Sequence, residues 1–169
     1  LICVTLTGTK LVALDGGVNF IDTSPYYGRT LAERVLGKAF KEIRRARFFL
    51  GTKCGRYDVD GFDFTYDRIL RSVDESLQRM GVDHLDFMQC HDIEFGDLRQ
   101  VVDEALSALR KAREQGKVRF IGVTGFPLKV FRSILDWTQL DCMLSYCHYS
   151  LNNTSLLGLL PYLKRWSEK

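Results

Sequence analysis

Four side chains in this sequence have types and positions that suit proton transfer. Asp22 and Tyr27 lie in the segment NFIDTSPYYG, Lys53 lies in FFLGTKCG, and His91 lies in LDFMQCHD. Each segment contains a short apolar run that stops at polar residues, as a buried β-strand followed by a loop would. A phenol, an ammonium group, a carboxylate and an imidazole at one rim of a parallel sheet would form an acid–base site.

These four groups have complementary roles in acid–base chemistry. A free phenol has a pKa of about 10, which is too high for proton transfer near neutral pH. A neighbouring ammonium group favours the phenolate and lowers that pKa, and a carboxylate keeps the ammonium group charged. An imidazole can hold the reacting oxygen by a hydrogen bond. We therefore expect Tyr27 to be the acid or base, Lys53 and Asp22 to support it, and His91 to contact the reacting group.

Each of these residues also has a purely structural explanation. Asp22 could cap the turn that follows it, and Lys53 could end an exposed strand. His91 could be a hydrogen-bonded histidine of the core. Tyr26 is a rival for Tyr27, because elementary chemistry does not separate two adjacent phenols.

The composition is that of an ordinary globular domain. The chain has 169 residues, of which 46% are hydrophobic and 27% charged, and its net charge is +3 with both signs interspersed. This balance gives no reason to expect a nucleic acid or a membrane as partner. The N-terminal LICVTLTGTK lacks a basic region before a long apolar one, so we expect no signal peptide. Five cysteines without CxxC spacing favour a reducing compartment, and we expect a cytoplasmic protein.

Two clusters of potential metal ligands are present, Cys90-His91-Asp92 and Cys147-His148. Neighbouring residues on a strand point to opposite faces, so Cys90 and His91 cannot easily bind one ion. Neither cluster has the spacing of a tetrahedral metal site. We expect no metal.

Strand-like and helical patterns alternate along the whole chain. The strand-like segments are residues 2–7, 18–24, 47–53, 84–91, 118–125 and 141–151. The helical segments between and after them are residues 31–43, 64–81, 101–116, 129–137 and 155–169. Glycines at 81 and 116 are expected to end two of these helices. The alternation predicts repeated βαβ units and a parallel sheet.

Two α/β architectures are compatible with this pattern, a doubly wound open sheet and a (β/α)8 barrel. The first strand is not followed by a phosphate-binding glycine motif, which would favour the doubly wound sheet. Polar residues at the ends of successive strands favour the barrel. Barrels typically need about 250 residues. We therefore predict one domain over residues 1–169, an incomplete (β/α)8 TIM-barrel type with about six βα units and the C-terminal two missing.

The segment GVNFIDTSPYYGRTLAERVLGKAF resembles the signature of the aldo-keto reductase family. Further landmarks follow in order: the TK pair that ends in Lys53, His91 at the next strand end, and the GVTGF segment from Gly122. The resemblance covers about residues 17–169 and implies a cytosolic (β/α)8 oxidoreductase that uses a nicotinamide cofactor without a metal. It implies that Tyr27 is the general acid or base, that Lys53 and Asp22 assist it, and that His91 binds the substrate oxygen.

The resemblance also implies a substrate and cofactor contacts. The substrate would be a small sugar, an aldose such as L-galactose, oxidised at C1 to its 1,4-lactone with NAD (NADP being possible) in ascorbate biosynthesis. Thr124, Ser145 and Tyr146 occupy positions expected to bind the nicotinamide. Many members have Ser-Asn where this chain has Thr124-Gly125, and a glutamine where it has Tyr146. The resemblance implies nothing about the oligomeric state.

Two other functions fit the same residues. One is a truncated, non-catalytic aldo-keto reductase fragment, because the segments that grip the rest of the nucleotide follow the sixth strand in this family. The other is an NADPH-dependent reductase of aldehydes or ketones.

Overall fold

The computed structural model describes residues 12–59 and 61–167, which are built around a five-stranded parallel sheet. The strands are β1 Phe20–Asp22, β2 Phe49–Cys54, β3 Leu85–Cys90, β4 Val118–Gly125 and β5 Cys142–Ser145. Their order in the sheet is their order in the chain, and every neighbouring pair is parallel. A doubly wound sheet reverses its strand order at a switch point, whereas a (β/α)8 barrel does not. The described strands therefore form part of a (β/α)8-type barrel, as predicted.

Helices connect and cover these strands. They are α1 Val12–Asp15, α2 Leu31–Phe40, α3 Tyr66–Met80, α4 Leu98–Gln100, α5 Leu106–Glu114, α6 Leu128–Trp137 and α7 Leu160–Ser167. A π-helical turn, Val101–Ala105, joins α4 to α5, and 3₁₀ turns occur at Arg45–Arg47, Ile93–Phe95 and Ser155–Gly158. No helix within residues 12–59 and 61–167 is long and apolar enough to cross a membrane.

The expected elements are present with shifted ends. Gly81 and Gly116 end their helices with left-handed backbones, at φ values of 64° and 75°. The strand expected over 141–151 stops at Ser145, since the chain then bends and Cys147 is left-handed. The helix expected over 155–169 begins as a 3₁₀ turn, and Pro161 lies in the first turn of α7, where a missing N–H costs nothing. The strand expected over residues 2–7 lies outside the described residues.

The two faces of the sheet differ in their environment. Alternate strand residues face the helices and are fully or almost fully buried, among them Leu50, Met88 and Ile121. The opposite face carries a row of rings in which Phe87 contacts Phe20 and Phe120, with ring centroids 5.3 and 5.1 Å apart. Phe20 is 42% exposed, so this face is only partly covered by the described residues. It is the face that a complete barrel would enclose.

Helices α2 and α3 approach each other at Gly37. A Cβ atom added to Gly37 would lie 2.4 Å from the carbonyl oxygen of Arg79 and 3.0 Å from the Cα of Met80. The same pair of helices is joined by an ion pair between Glu33 of α2 and Arg79 of α3, with an Nε–Oε2 distance of 2.5 Å. The close contact explains why α2 contains a glycine in its middle, where glycine is unfavourable for helix formation.

We expect Gly37→Ala to lower the free energy of unfolding by about 1–3 kcal/mol, because the new methyl group overlaps the backbone of α3. Helix propensity alone predicts the opposite sign, a gain of about 1 kcal/mol. Urea unfolding followed by circular dichroism measures the difference.

Gly158→Ala is the matched control. A Cβ atom at Gly158 meets no atom within 4 Å, and its φ is not in the left-handed region. This variant should stay within about 0.5 kcal/mol of the parent chain. A Gly37→Ala chain that is more stable than the parent would contradict the proposed close contact.

Candidate active site

The carboxyl ends of the first three strands bring the predicted acid–base residues together. Asp22 is the last residue of β1, Lys53 is the second-last residue of β2, and His91 follows β3 directly. Tyr27 lies in the turn between β1 and α2. Because parallel strands end at the same edge of a sheet, these segments meet at one rim of the partial barrel.

Lys53 is the centre of this group. It is 1% exposed, and its ammonium group donates to Asp22 Oδ2 at 2.6 Å and to the carbonyl oxygen of Thr23 at 2.9 Å. The Asp22 side chain is 30% exposed, so the ion pair connects the interior to the rim. Lys53 Nζ also lies 4.9 Å from the centroid of the Tyr27 ring. The buried cation therefore has both a counter-ion and a phenol ring beside it.

Tyr27 is held by an unusual turn. Gly28, Arg29 and Thr30 follow it with φ values of 60°, 50° and 71°, three successive residues in the left-handed region. Residues other than glycine rarely adopt this conformation, and it costs free energy. The Tyr27 N–H donates to the carbonyl oxygen of Ser24 at 3.0 Å, and the Tyr27 side chain is left 37% exposed. The turn thus keeps the Tyr27 side chain accessible to solvent while its ring lies next to the buried Lys53 ammonium group.

His91 is 5% exposed and lies against both tyrosines, with ring centroids 6.0 Å from Tyr26 and 5.9 Å from Tyr27. Burial lowers the pKa of His91 to about 4. The Asp92 carboxylate opposes this shift, while the cationic groups of Lys53 and Arg56 add to it. The imidazole is therefore neutral at neutral pH and can donate a hydrogen bond without adding a second positive charge to the site.

Arg56 and Asp92 also belong to the site, although the sequence pointed to Asp92 only as a potential metal ligand and did not point to Arg56. Arg56 forms an ion pair with Asp92, and its guanidinium group lies 3.9 Å from the centroid of the Tyr26 ring. This contact packs Tyr26 beneath a cation and leaves Tyr27 next to Lys53. The available signal was their position, since Asp92 follows His91 and Arg56 lies two residues after the end of β2.

A second ion pair supports the strand that carries Lys53. Glu33 is fully buried, accepts from the Thr52 hydroxyl at 2.7 Å, and pairs with Arg79. Thr52 precedes Lys53 and points to the helix-covered face. The carboxylate thereby ties β2 to α2 and α3 immediately next to the catalytic candidate.

The residues expected to bind a cofactor lie at the ends of β4 and β5. Thr124 is 1% exposed, and its hydroxyl accepts from the Asp92 N–H at 3.0 Å and donates to Asp92 Oδ1 at 3.4 Å. Ser145 Oγ lies 2.8 Å from His148 Nδ1. Tyr146 is 40% exposed and packs on Phe126, with ring centroids 5.2 Å apart. Thr124 is thus connected through Asp92 to the predicted acid–base residues. Ser145 and Tyr146 lie on the same rim at the end of β5, without such a connection among the contacts above.

A nicotinamide group fits the chemistry of this rim. Glu94 Oε1 accepts from the Phe126 N–H at 2.9 Å, but the buried Glu94 Oε2 has no hydrogen-bond partner among the described residues. A side chain at Gly125 would begin 2.9 Å from that oxygen. The end of β4 therefore contains a free acceptor beside Gly125, and a ligand with an amide group supplies matching donors.

The candidate metal ligands do not converge. Within residues 12–59 and 61–167, no three side chains of His, Cys, Asp or Glu are placed to hold a metal ion. Cys90 is fully buried in the core, while His91 faces the tyrosines.

Comparison with known proteins identifies the family. Residues 9–165 match the family model described as the Aldo/keto reductase family. This chain belongs to that family. The match begins before residue 17, where the resemblance was expected to start.

Two curated relatives are sugar dehydrogenases. The chain is 52% identical over 153 residues to L-galactose dehydrogenase of Arabidopsis thaliana, covering 88% of this chain and 48% of that protein. It is 33% identical over 163 residues to D-arabinose 1-dehydrogenase of Saccharomyces cerevisiae, covering 90% of this chain and 48% of that protein. The chain therefore spans about half the length of these relatives.

Solved structures agree with the fold. The glycerol dehydrogenase of Gluconobacter oxydans superposes with a TM-score of 0.72 at 28% identity, over 92% of this chain and 48% of that one. An aldo-keto reductase of Bacillus halodurans gives a TM-score of 0.70 at 28% identity, over 79% of this chain and 45% of that one. The five parallel strands correspond to part of the barrel of these enzymes.

The lowered pKa of His91 predicts a pH-dependent stability. Between about pH 6.5 and pH 4 the unfolded chain binds a proton at this residue and the folded chain does not. The free energy of unfolding should therefore decrease as the pH falls through this window, by up to about 1.4 kcal/mol per pH unit from this group. Urea unfolding at a series of pH values measures the slope.

His91→Gln should remove this contribution and flatten the curve between pH 6.5 and pH 4, and His84→Gln is the control. The His84 side chain is 35% exposed and lies next to Asp83 on the surface. Curves for the parent chain and His91→Gln that run parallel through the window would show that burial of His91 does not control its protonation.

Proposed function

We propose that this chain carries the acid–base half of an oxidoreductase that transfers hydride between C1 of an aldose and NAD. The preferred substrate is L-galactose, which would be oxidised to L-galactono-1,4-lactone as a step in ascorbate biosynthesis. One observation carries the proposal: the buried Lys53 ammonium group, paired with Asp22, lies 4.9 Å from the Tyr27 ring centroid. The identity of 52% to a plant L-galactose dehydrogenase supports the choice of substrate.

In this proposal each residue acts on the sugar oxygen. Tyr27 accepts the proton of the C1 hydroxyl in its phenolate form and becomes a neutral phenol, and the Lys53 ammonium group stabilises the phenolate before the transfer. Asp22 holds Lys53 charged and oriented. His91, being neutral, donates a hydrogen bond to the same oxygen and orients C1. A side chain set of this kind moves protons only, so the hydride must go to a bound cofactor.

A nicotinamide nucleotide supplies that hydride acceptor when it is bound. We propose that Thr124, Ser145 and Tyr146 hold its nicotinamide end. The free Glu94 oxygen beside Gly125 and the 40% exposure of Tyr146 support this placement. NAD is preferred over NADP because of the L-galactose dehydrogenase likeness.

Residues 1–169 are proposed to form a single, partial aldo-keto reductase domain in a cytoplasmic protein. A single sheet and one connected hydrophobic cluster support one domain. The described cysteines are all free thiols, which agrees with a reducing compartment.

A second candidate is a fragment that does not catalyse the reaction. The observation that favours it is the exposed ring of Phe20 on the face that a complete barrel would enclose. Aldo-keto reductase relatives are about twice as long as this chain. Such a fragment would bind the nucleotide weakly or not at all.

Tyr27→Phe should lower kcat for NAD reduction with L-galactose by about 10²–10⁴-fold, because it removes the acid–base group. Tyr26→Phe is the matched control, since it removes the adjacent phenol oxygen and should keep most of the activity. Absorbance at the reduced nicotinamide band measures both. A larger loss in Tyr26→Phe than in Tyr27→Phe would move the proton transfer to the other tyrosine.

The parent chain separates the remaining alternatives in the same assay. Turnover with L-galactose and NAD supports the sugar dehydrogenase, whereas turnover only with NADPH and an aldehyde supports a reductase. If circular dichroism shows that the chain is folded and neither pair of reactants gives turnover, the result supports the non-catalytic fragment.

A further inference from the structure

Ser24 has a contact with the site that the proposed reaction does not use. Its side chain is fully buried, and its Oγ lies 3.1 Å from His91 Nδ1. The same Oγ accepts a hydrogen bond from the Tyr26 N–H at 3.1 Å. Ser24 is thus joined both to the imidazole and to the turn that carries the two tyrosines.

Which group donates in each of these two hydrogen bonds follows from the hydrogens that the groups carry. A backbone N–H can only donate, so Ser24 Oγ is the acceptor toward Tyr26. The hydroxyl hydrogen of Ser24 is then left for His91 Nδ1, which must be an unprotonated acceptor. The reverse arrangement, with a proton on Nδ1, would leave the buried hydroxyl hydrogen of Ser24 without an acceptor among the described residues, at a cost of about 1–3 kcal/mol.

A second observation concerns the other ring nitrogen. His91 Nε2 lies 3.6 Å from Asp92 Oδ2. A carboxylate at this distance favours an N–H over a lone pair on Nε2. The distance is too long for a hydrogen bond, so the N–H remains free for another acceptor. Asp92 itself is satisfied by its ion pair with Arg56.

We propose that Ser24 is a positioning residue that holds His91 in the tautomer with its proton on Nε2. The free Nε2–H then donates to the oxygen of the substrate. This inference adds a positioning residue to the proposed active site. Only the contact of Nε2–H with a substrate rests on the proposed function. The state of the imidazole in the free protein follows from the contacts of Ser24 and Asp92 alone.

The choice of tautomer matters because the ring is neutral. Burial keeps the pKa of His91 near 4, so at neutral pH only one of its nitrogens carries a proton. With the proton on Nδ1, Nε2 would offer a lone pair to the substrate and could not hold an oxygen that becomes negatively charged. The contacts of Ser24 and Asp92 therefore decide whether Nε2 of His91 is a donor or an acceptor.

Nitrogen-15 NMR of the histidine side chains tests the inference without a substrate. The chain has three histidines, and His91→Gln assigns the signal of interest. We expect Nε2 of His91 to have the shift of a protonated nitrogen and Nδ1 that of an unprotonated one. A protonated Nδ1 in the parent chain would overturn the proposal.

Ser24→Ala and Ser24→Thr then test the role of the hydroxyl. In Ser24→Ala we expect a mixed tautomer, and in a chain with sugar dehydrogenase activity a fall in kcat/KM of about tenfold. Ser24→Thr keeps the hydroxyl and should restore the Nε2–H tautomer and most of the activity. A Ser24→Ala chain with the parent tautomer would show that Asp92 alone sets the proton and would overturn the role of Ser24.

The same measurements separate this inference from the proposed function. A parent chain without turnover that still has the Nε2–H tautomer, and loses it in Ser24→Ala, supports the hydrogen-bond arrangement and counts against the sugar dehydrogenase. A parent chain that has turnover but carries the proton of His91 on Nδ1 supports the sugar dehydrogenase and overturns the role proposed for Ser24. Circular dichroism of each variant confirms that the fold is retained.

Discussion

The burial of one lysine ammonium group imposes the strongest constraint on this structure. A charged group removed from water is stable in a protein only with a counter-ion and hydrogen-bond acceptors. Lys53 has both, in Asp22 and the carbonyl oxygen of Thr23, and all three residues lie at the ends of β1 and β2. The parallel pairing of these two strands is therefore what makes the buried cation possible.

Much of the surrounding structure keeps a phenol next to that cation. The left-handed turn from Gly28 to Thr30 is unfavourable by itself, and it is followed at once by the regular helix α2. The stacking of Arg56 on Tyr26 holds that ring against His91, with its centroid 6.4 Å from that of Tyr27. Local strain next to a buried charge is common where a site must be held ready for chemistry.

The site and the core make different demands on the sheet. The helix-covered face is packed as in any α/β protein, and this packing holds the strands in place. The opposite face carries the Phe20, Phe87 and Phe120 rings below the polar rim and is partly open to solvent. The chain spans about half the length of its sugar dehydrogenase relatives, and a complete barrel would enclose this face. The four predicted acid–base residues all lie within the described part, at the ends of its first three strands and in the turn after β1.

Sequence patterns alone determined most of the architecture. The alternation of apolar runs and amphipathic segments predicted the parallel sheet, and glycines at 81 and 116 marked helix ends correctly, because these features depend on local backbone preferences. Asp22, Tyr27, Lys53 and His91 were selected from their positions at strand ends, which a barrel brings together.

Only the tertiary structure decided how these residues are connected. The ion pair of Arg56 with Asp92 and the contact of Ser24 with His91 join segments far apart in the chain. Hydrogen-bond direction and burial depend on which groups meet in space, and one-dimensional spacing does not contain that information. The neutral state of His91 at neutral pH follows from such burial, so the fold, rather than the motif, sets its charge.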